Sequence, residues 1–144
     1  MPMIQIKFAS PLTLSQGEAT IAGAAARLAE QWLGKDPSVT AVLVEEVAAD
    51  RWFCGGRRLS EQGSAAFWLD IRITEGTNSK DEKAAFIAAT FATMAELLGP
   101  LHPESYVHVV EARADAYGYG GLTQERRYIA GRPVPPAQSI FSPG

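Results

Sequence analysis

The chain has 144 residues, 47% hydrophobic and 20% charged, and its 13 basic and 16 acidic residues give a formal net charge of -3. This size and composition fit one globular domain with a sizeable core. The weakly acidic balance lacks the basic clusters that bind phosphate backbones, so nucleic acid is not an expected partner. Because no apolar run reaches the roughly 18 to 20 residues that cross a bilayer, and no signal-peptide pattern opens the chain, we expect a cytoplasmic protein without a membrane partner.

Metal and cofactor sites are poorly represented in the sequence. The single cysteine, Cys54, excludes an intrachain disulfide, and two histidines, His102 and His108, leave little for a zinc site. The glycine-rich phosphate-binding motifs and the H-E-x-x-H zinc motif are absent. Cys54 and His108 are a candidate nucleophile and base, but their spacing does not indicate contact. We therefore predict no metal site and no cofactor.

The first predicted elements are a strand, a helix and a second strand. Residues 3–8 and 39–47 are short β-rich runs. Between them, the capping pattern Ser15 to Glu18 opens an alanine-rich helix that ends at Leu33-Gly34. An aromatic, glycine-rich turn at 50–56 follows the second strand. The apolar spacing of the helix predicts a buried face made of Ile21, Ala25, Leu28 and Trp32.

The second half of the chain repeats this order about 65 residues later. Strands are predicted over 66–73 and 105–112, with a helix between them that opens at Ser79 to Glu82, and a second glycine-rich turn lies at 115–121. Four prolines among the last 13 residues forbid regular structure there, so 129–144 is predicted to be a tail. The predicted buried face of the second helix is Ile87, Phe91, Met94 and Leu98.

A helix of about 18 residues between two strands makes the strands parallel, through a right-handed crossover. We therefore predict one α+β (α/β) domain spanning 1–144 and made of two fused β-α-β units, about 2–61 and 66–126. The units form a four-stranded sheet with both helices on one face. A ferredoxin-like dimer, built on a split β-α-β arrangement, is an alternative.

The residue with unusual chemistry is Pro2. Removal of Met1 turns the proline nitrogen into a secondary amine, a base that no internal position provides. A chain amine has a reference pKa of about 7.7 to 8.0, and apolar surroundings lower the pKa because they disfavour the charged form. Such an amine is partly neutral near pH 7 and transfers protons there.

Together these features resemble the tautomerase superfamily. The resemblance rests on Met1 to Ile6 at the start, Leu14-Ser15 before the helix, and Val44 to Val47 running through Trp52 to Gly55-Gly56. These residues are similar to the 4-oxalocrotonate tautomerase unit, and with the second copy the similarity covers residues 2 to about 125. It implies a tautomerase/MIF-like fold and, for a fused two-unit chain, a homotrimer.

The resemblance also implies a 1,3-keto-enol proton transfer on a small carboxylate-bearing molecule. Pro2 would act as general base and then as general acid, without a cofactor. The second unit has Phe67, or in the other register Ala66, where Pro2 would recur, and neither has a free amine. We therefore expect one active site per chain.

Several substrate-binding residues follow from the same resemblance. Trp52 takes the place of an aromatic residue that keeps the family's pocket apolar, and Tyr117 is its counterpart in the second unit. The arginines that hold carboxylates in the family are missing: Ala41 replaces one of them, with Tyr106 as the counterpart of Ala41 in the second unit. Arg72 is the nearest remaining cation. The predicted site residues are catalytic Pro2 and substrate-binding Trp52, Arg72, Tyr106 and Tyr117.

Loss of those arginines leaves other functions open. The same proline serves hydratase, dehalogenase or decarboxylase chemistry in relatives of the family. A catalytically silent trimeric binding module is a further alternative, since it would keep the fold without the reaction.

Overall fold

The computed structural model describes residues 1–12, 14 and 17–131. The proline-rich tail after 131 and Ser15 of the first predicted capping box lie outside the described residues. None of the helices in the described part of the chain combines the length and hydropathy that crossing a bilayer requires.

The described elements follow the predicted order, with two short hairpins and a third helix added. The main strands and helices are β1 (Met3–Ala9), α1 (Gly17–Leu33), β2 (Ala41–Glu46), β5 (Ala66–Thr74), α2 (Lys80–Leu98) and β6 (Tyr106–Ala112). The hairpins and the last helix are β3 (Phe53–Cys54), β4 (Arg57–Arg58), β7 (Gly118–Tyr119), β8 (Leu122–Thr123) and α3 (Gln124–Ala130).

One mixed sheet joins the two halves of the chain. Its strand order is β2-β1-β5-β6, in which each unit contributes a parallel pair and the central pair β1–β5 is antiparallel. Met3 lies opposite Arg72 and Lys7 lies opposite Trp68 in that central pair. The ferredoxin-like alternative is wrong, because β1 and β2 are direct neighbours and no strand splits the unit.

The core lies between one face of the sheet and the two long helices. Alternate residues of the central strands are fully buried, while the residues between them lie on the other face. Both helices contact the same core cluster, which confirms that they cover one face. The uncovered face, here called the open face, exposes large apolar side chains at Met3, Leu43, Trp68 and Tyr106.

The buried face of α2 differs from its prediction. The helix begins at a complete capping box formed by Ser79 and Glu82, as predicted. Phe86 and Thr90 join the predicted Met94 and Leu98 as the buried positions, whereas Ile87 is 39% exposed. Phe86 is fully buried in the core cluster near the start of the helix, and at this rotation of the helix its neighbour Ile87 faces outward.

Both glycine-rich turns form two-residue hairpins. Gly55 and Gly56 between β3 and β4, and Gly120 and Gly121 between β7 and β8, all have φ between 61° and 83°. Two consecutive residues with positive φ are typical of type I′ turns, which match the twist of the paired strands. The glycines are therefore required by the turns.

Candidate active site

A cavity of about 690 Å³ opens at the start of β1. It collects residues from four places along the chain, including three of the predicted site residues. Its lining residues are Pro2, Met3, Ser38, Val39, Thr40, Ala41, Arg72, Ala116, Tyr117, Gly118 and Tyr119.

The sheet fixes the position of Pro2 in this cavity. Pro2 is buried immediately before β1, and its carbonyl oxygen accepts a hydrogen bond from the Ala41 N–H at 3.2 Å. This bond continues the parallel β1–β2 ladder by one residue toward the chain start. Proline is tolerated at this place because the first residue of a strand need not donate to a ladder.

Tyr117 reaches the same cavity from the second unit. Its hydroxyl donates a hydrogen bond to the Met1 carbonyl oxygen at 2.7 Å and lies 3.3 Å from the carbonyl oxygen of Arg72. Burial raises the pKa of the Tyr117 phenol, against smaller opposing effects of a backbone hydrogen bond at Met3 and the charge of Arg72. The phenol therefore stays protonated at neutral pH and acts as a hydrogen-bond donor.

Strand direction explains why Tyr117, and not Trp52, is beside Pro2. Each unit's hairpin follows its second strand. Because the two strands of a unit are parallel, the hairpin lies at the end of the sheet where that unit's first strand also ends. Because β1 and β5 are antiparallel, the first strand of the other unit begins at that same end of the sheet. Tyr117 therefore lies at the start of β1, and Trp52 lies toward the start of β5.

Arg72 is the charged residue among the described residues that line the cavity. It lies opposite Met3 across the β1–β5 pair, which brings it to the chain start. Its guanidinium is a fixed cation with donors suited to a carboxylate. Ala41, which the resemblance predicts to replace an arginine, also lines the cavity and contributes a methyl group there.

The electrostatic surroundings of the chain start favour a neutral amine. Burial is the main cause that lowers the pKa of the Met1 amine, the charge of Lys35 lowers it further, and Asp36 opposes both. Lys35 itself donates a hydrogen bond to Thr77 Oγ1 at 3.1 Å. The sequence analysis did not identify Lys35. Its position between the end of α1 and the start of β2 could have indicated that it lies near the start of the parallel strand β1.

Trp52 and Tyr106 lie in a second pocket, at the opposite end of the strands from the Pro2 cavity. This pocket has a volume of about 400 Å³ and also contains Lys7, Trp68, Cys54 and Glu104. In the internal repeat, Trp52 corresponds to Tyr117, Tyr106 to Ala41, Trp68 to Met3 and Lys7 to Arg72. Within one chain, the structure therefore brings Pro2, Arg72 and Tyr117 together and separates Trp52 and Tyr106 from them. Their contact with substrate stays a prediction.

Among the described residues, one group of side chains suits a metal ion. Ligand atoms of Cys54, His102 and Glu104 lie within 4.8 Å of one another. His102, rather than the candidate His108, is the histidine that the fold brings to Cys54. None of the three lines the Pro2 cavity.

Comparison with known proteins places this arrangement in a family. No protein-family model matches the sequence. "Probable tautomerase K2" of Dickeya dadantii (strain 3937) is 34% identical over 67 residues, which are 46% of this chain and 98% of that protein. That relative therefore has the length of about one β-α-β unit.

Solved structures match nearly the whole fold. A structure described as a fused 4-OT wild-type symmetric trimer has a TM-score of 0.74 and 18% identity, covering 90% of this chain and 99% of that one. The macrophage migration inhibitory factor-like protein of Entamoeba histolytica has a TM-score of 0.69 and 18% identity, covering 85% and 97%. At these identities the structures show the fold alone. With the tautomerase relative and two β-α-β units in one sheet, they show that the chain belongs to the tautomerase superfamily, as a 4-OT-like member with two fused units.

Proposed function

We propose that this protein is a cofactor-independent tautomerase that uses the amine of Pro2 for a 1,3-keto-enol proton transfer. Removal of Met1 frees the amine. The neutral nitrogen accepts the proton of an enol hydroxyl and then returns a proton to the neighbouring carbon, so that the amine ends in its starting state. No proton is gained or lost overall, which is why no cofactor is needed.

The observation that carries this proposal is the hydrogen bond from Tyr117 to the Met1 carbonyl oxygen. That oxygen belongs to an acyl group bonded directly to the Pro2 nitrogen, and it stands in for a carbonyl or enolate oxygen beside the amine. The 2.7 Å distance from the Tyr117 hydroxyl to the Met1 oxygen supports a role for Tyr117 as a donor to such an oxygen. A donor at this place would stabilise the negative charge that develops on the oxygen during proton transfer.

Arg72 supports a small acid as the substrate class. It supplies the positive charge among the described lining residues, while Met3, Val39 and Ala41 give the cavity apolar walls. Arg72 lines the same cavity as Pro2, and a nearby cation disfavours protonation of an amine, as the charge of Lys35 does for Met1. We propose that Arg72 binds the carboxylate while Tyr117 binds the reacting oxygen.

The two repeats, proposed to span about 2–61 and 66–126 of one domain, give one such site per chain. The second unit places Phe67 inside the core, where it is fully buried. Ala66, its neighbour in the alternative register, is also buried and internal to β5. Neither residue has an amine, so the second pocket lacks the proposed base.

A pH-rate profile of the processed protein tests the proposal. With an enol such as phenylenolpyruvate, kcat/KM should fall as pH is lowered through the Pro2 pKa, because protonation removes the base. Burial and the neighbouring cations should place that pKa below the reference amine range of about 7.7 to 8.0. Mass spectrometry confirms the removal of Met1. An absence of turnover above background, with the amine titrating in its reference range, would instead support the silent binding module.

We also propose that the chain forms a homotrimer. The open face exposes Leu43 and Tyr106 to more than half of their full accessibility, and the outer strands β2 and β6 leave both sheet edges without a strand neighbour among the described residues. A second copy would cover such a surface. The fused 4-OT relative is described as a symmetric trimer.

Light scattering after gel filtration tests the assembly. We expect a mass three times the 15.5 kDa of one chain. The trimer should persist on dilution because burial of the exposed apolar side chains is favourable. A stable monomer or dimer at micromolar concentration contradicts this prediction.

A further inference from the structure

Two residues of the second pocket, Cys54 and Glu104, belong to a group of three side chains that the proposed proton transfer does not use. Cys54, His102 and Glu104 come from the first hairpin and from the segment before β6, and they are up to 50 residues apart in sequence. The chain has one cysteine and two histidines, and the fold places the cysteine beside one of those histidines. Their ligand atoms, together with a Glu104 carboxylate oxygen, lie within 4.8 Å of one another.

We propose that Cys54, His102 and Glu104 bind a divalent metal ion of the zinc type. Thiolate, imidazole and carboxylate are the three ligand types that zinc takes in proteins, and the thiolate disfavours magnesium and calcium. Three protein ligands leave a fourth position for water or a small ligand. Two of the three proposed ligands, Cys54 and Glu104, line the second pocket, whose walls also include Trp52, Trp68 and Tyr106.

The thiol of Cys54 must lose its proton before it can bind a metal ion. Burial raises the pKa of the Cys54 thiol, and the nearby negative charge of Glu104 raises it further, so without a metal the thiol is protonated. A metal ion displaces that proton and compensates both the thiolate and the carboxylate. Metal binding therefore releases a proton, and the affinity for metal should fall as pH is lowered.

Binding requires a local rearrangement at His102. Nδ1 of this ring accepts a hydrogen bond from the Glu104 N–H at 3.1 Å, which leaves the ring proton on Nε2. A metal at Nδ1 would take the same lone pair, and a metal at Nε2 would shift the proton to Nδ1. In either case this hydrogen bond opens, so the 102–104 turn should move when metal binds.

Cobalt(II) titration of metal-free, reduced protein tests the site. Because Cys54 is the one thiol of the chain, a near-ultraviolet thiolate-to-cobalt charge-transfer band identifies it as a ligand. We expect one cobalt per chain, loss of the band in Cys54→Ser, and a Kd about tenfold or more higher in His102→Gln and Glu104→Gln. His108→Gln is the matched control and should leave the Kd unchanged, because His108 lies exposed on the open face.

Two results overturn the proposal. One is the absence of the band in folded protein at cobalt concentrations well above that of the chain. The other is a band whose Kd is the same in His102→Gln and Glu104→Gln as in the unaltered protein, since the thiol would then bind cobalt without the other two groups. Both readouts are independent of Pro2 and of enol turnover, so a failure of the metal site can be distinguished from a failure of the proposed reaction.

Discussion

Replacing Pro2 with alanine is expected to lower kcat/KM for enol tautomerisation by about 10²- to 10⁴-fold, the range that a positioned general base contributes. The substitution exchanges a secondary amine fixed at the start of β1 for a primary amine on a residue with more backbone freedom. The assay follows loss of enol absorbance at a pH above the wild-type Pro2 pKa, with processing of both proteins confirmed by mass. An unchanged kcat/KM would exclude Pro2 as the base.

Two further variants separate the amine from its surroundings. A chain that keeps a residue ahead of Pro2 has an amide there, and its activity should drop as in Pro2→Ala even though every side chain of the cavity is present. Tyr117→Phe removes one hydrogen-bond donor and should cost about tenfold, the equivalent of roughly 1.4 kcal/mol. Because the amine is retained, the fall of kcat/KM at low pH should persist in Tyr117→Phe.

Most of the fold was predictable because the two units use strong and simple patterns. The four main strands begin and end within two residues of their predicted bounds. Apolar and polar residues alternate along these strands, and turn residues mark their ends. The second capping box and both glycine hairpins are also where the sequence indicated. Helix α3, at Gln124–Ala130, was missed, because its first residues were assigned to the repeat and its last to the tail.

Strand direction decides which of the predicted site residues lie together in one chain. The repeat shows which residues are equivalent, but equivalence does not say which of them meet. The resemblance to the family assigns Trp52 to the pocket of Pro2. The antiparallel β1–β5 pairing instead brings the second unit's Tyr117 to Pro2. The exchange follows from the antiparallel pairing of the two first strands, so it depends on the sheet topology rather than on any sequence motif.

The cluster of Cys54, His102 and Glu104 was not predicted at all. The low number of cysteines and histidines argued against a metal site, and the three residues lie on two segments that no motif connects. Only the pairing of β5 with β6, and the hairpin at the start of β5, bring them together. A site built from single residues on distant segments has no spacing signature, which is why sequence analysis did not find it.

The face of α2 is where sequence and structure disagree most clearly, because apolar residues surround this helix and several helical spacings fit. The structure buries Phe86 fully and leaves Ile87 39% exposed. Phe86→Ala should therefore lower the free energy of unfolding by about 3 to 5 kcal/mol, the cost of removing a large side chain from a packed core. Ile87→Ala should change the free energy of unfolding by no more than about 0.5 kcal/mol.

Urea unfolding of the two variants decides between the two faces, because the residues are adjacent and both become alanine, a strong helix former. Helix propensity therefore favours neither variant over the other by more than a few tenths of a kcal/mol. All proteins must be compared at one chain concentration, since association would make the midpoint depend on it. A larger loss of stability in Ile87→Ala than in Phe86→Ala would mean that α2 is rotated as the apolar spacing predicted. The order expected from the structure would show that the ring of Phe86 sets the helix against the sheet.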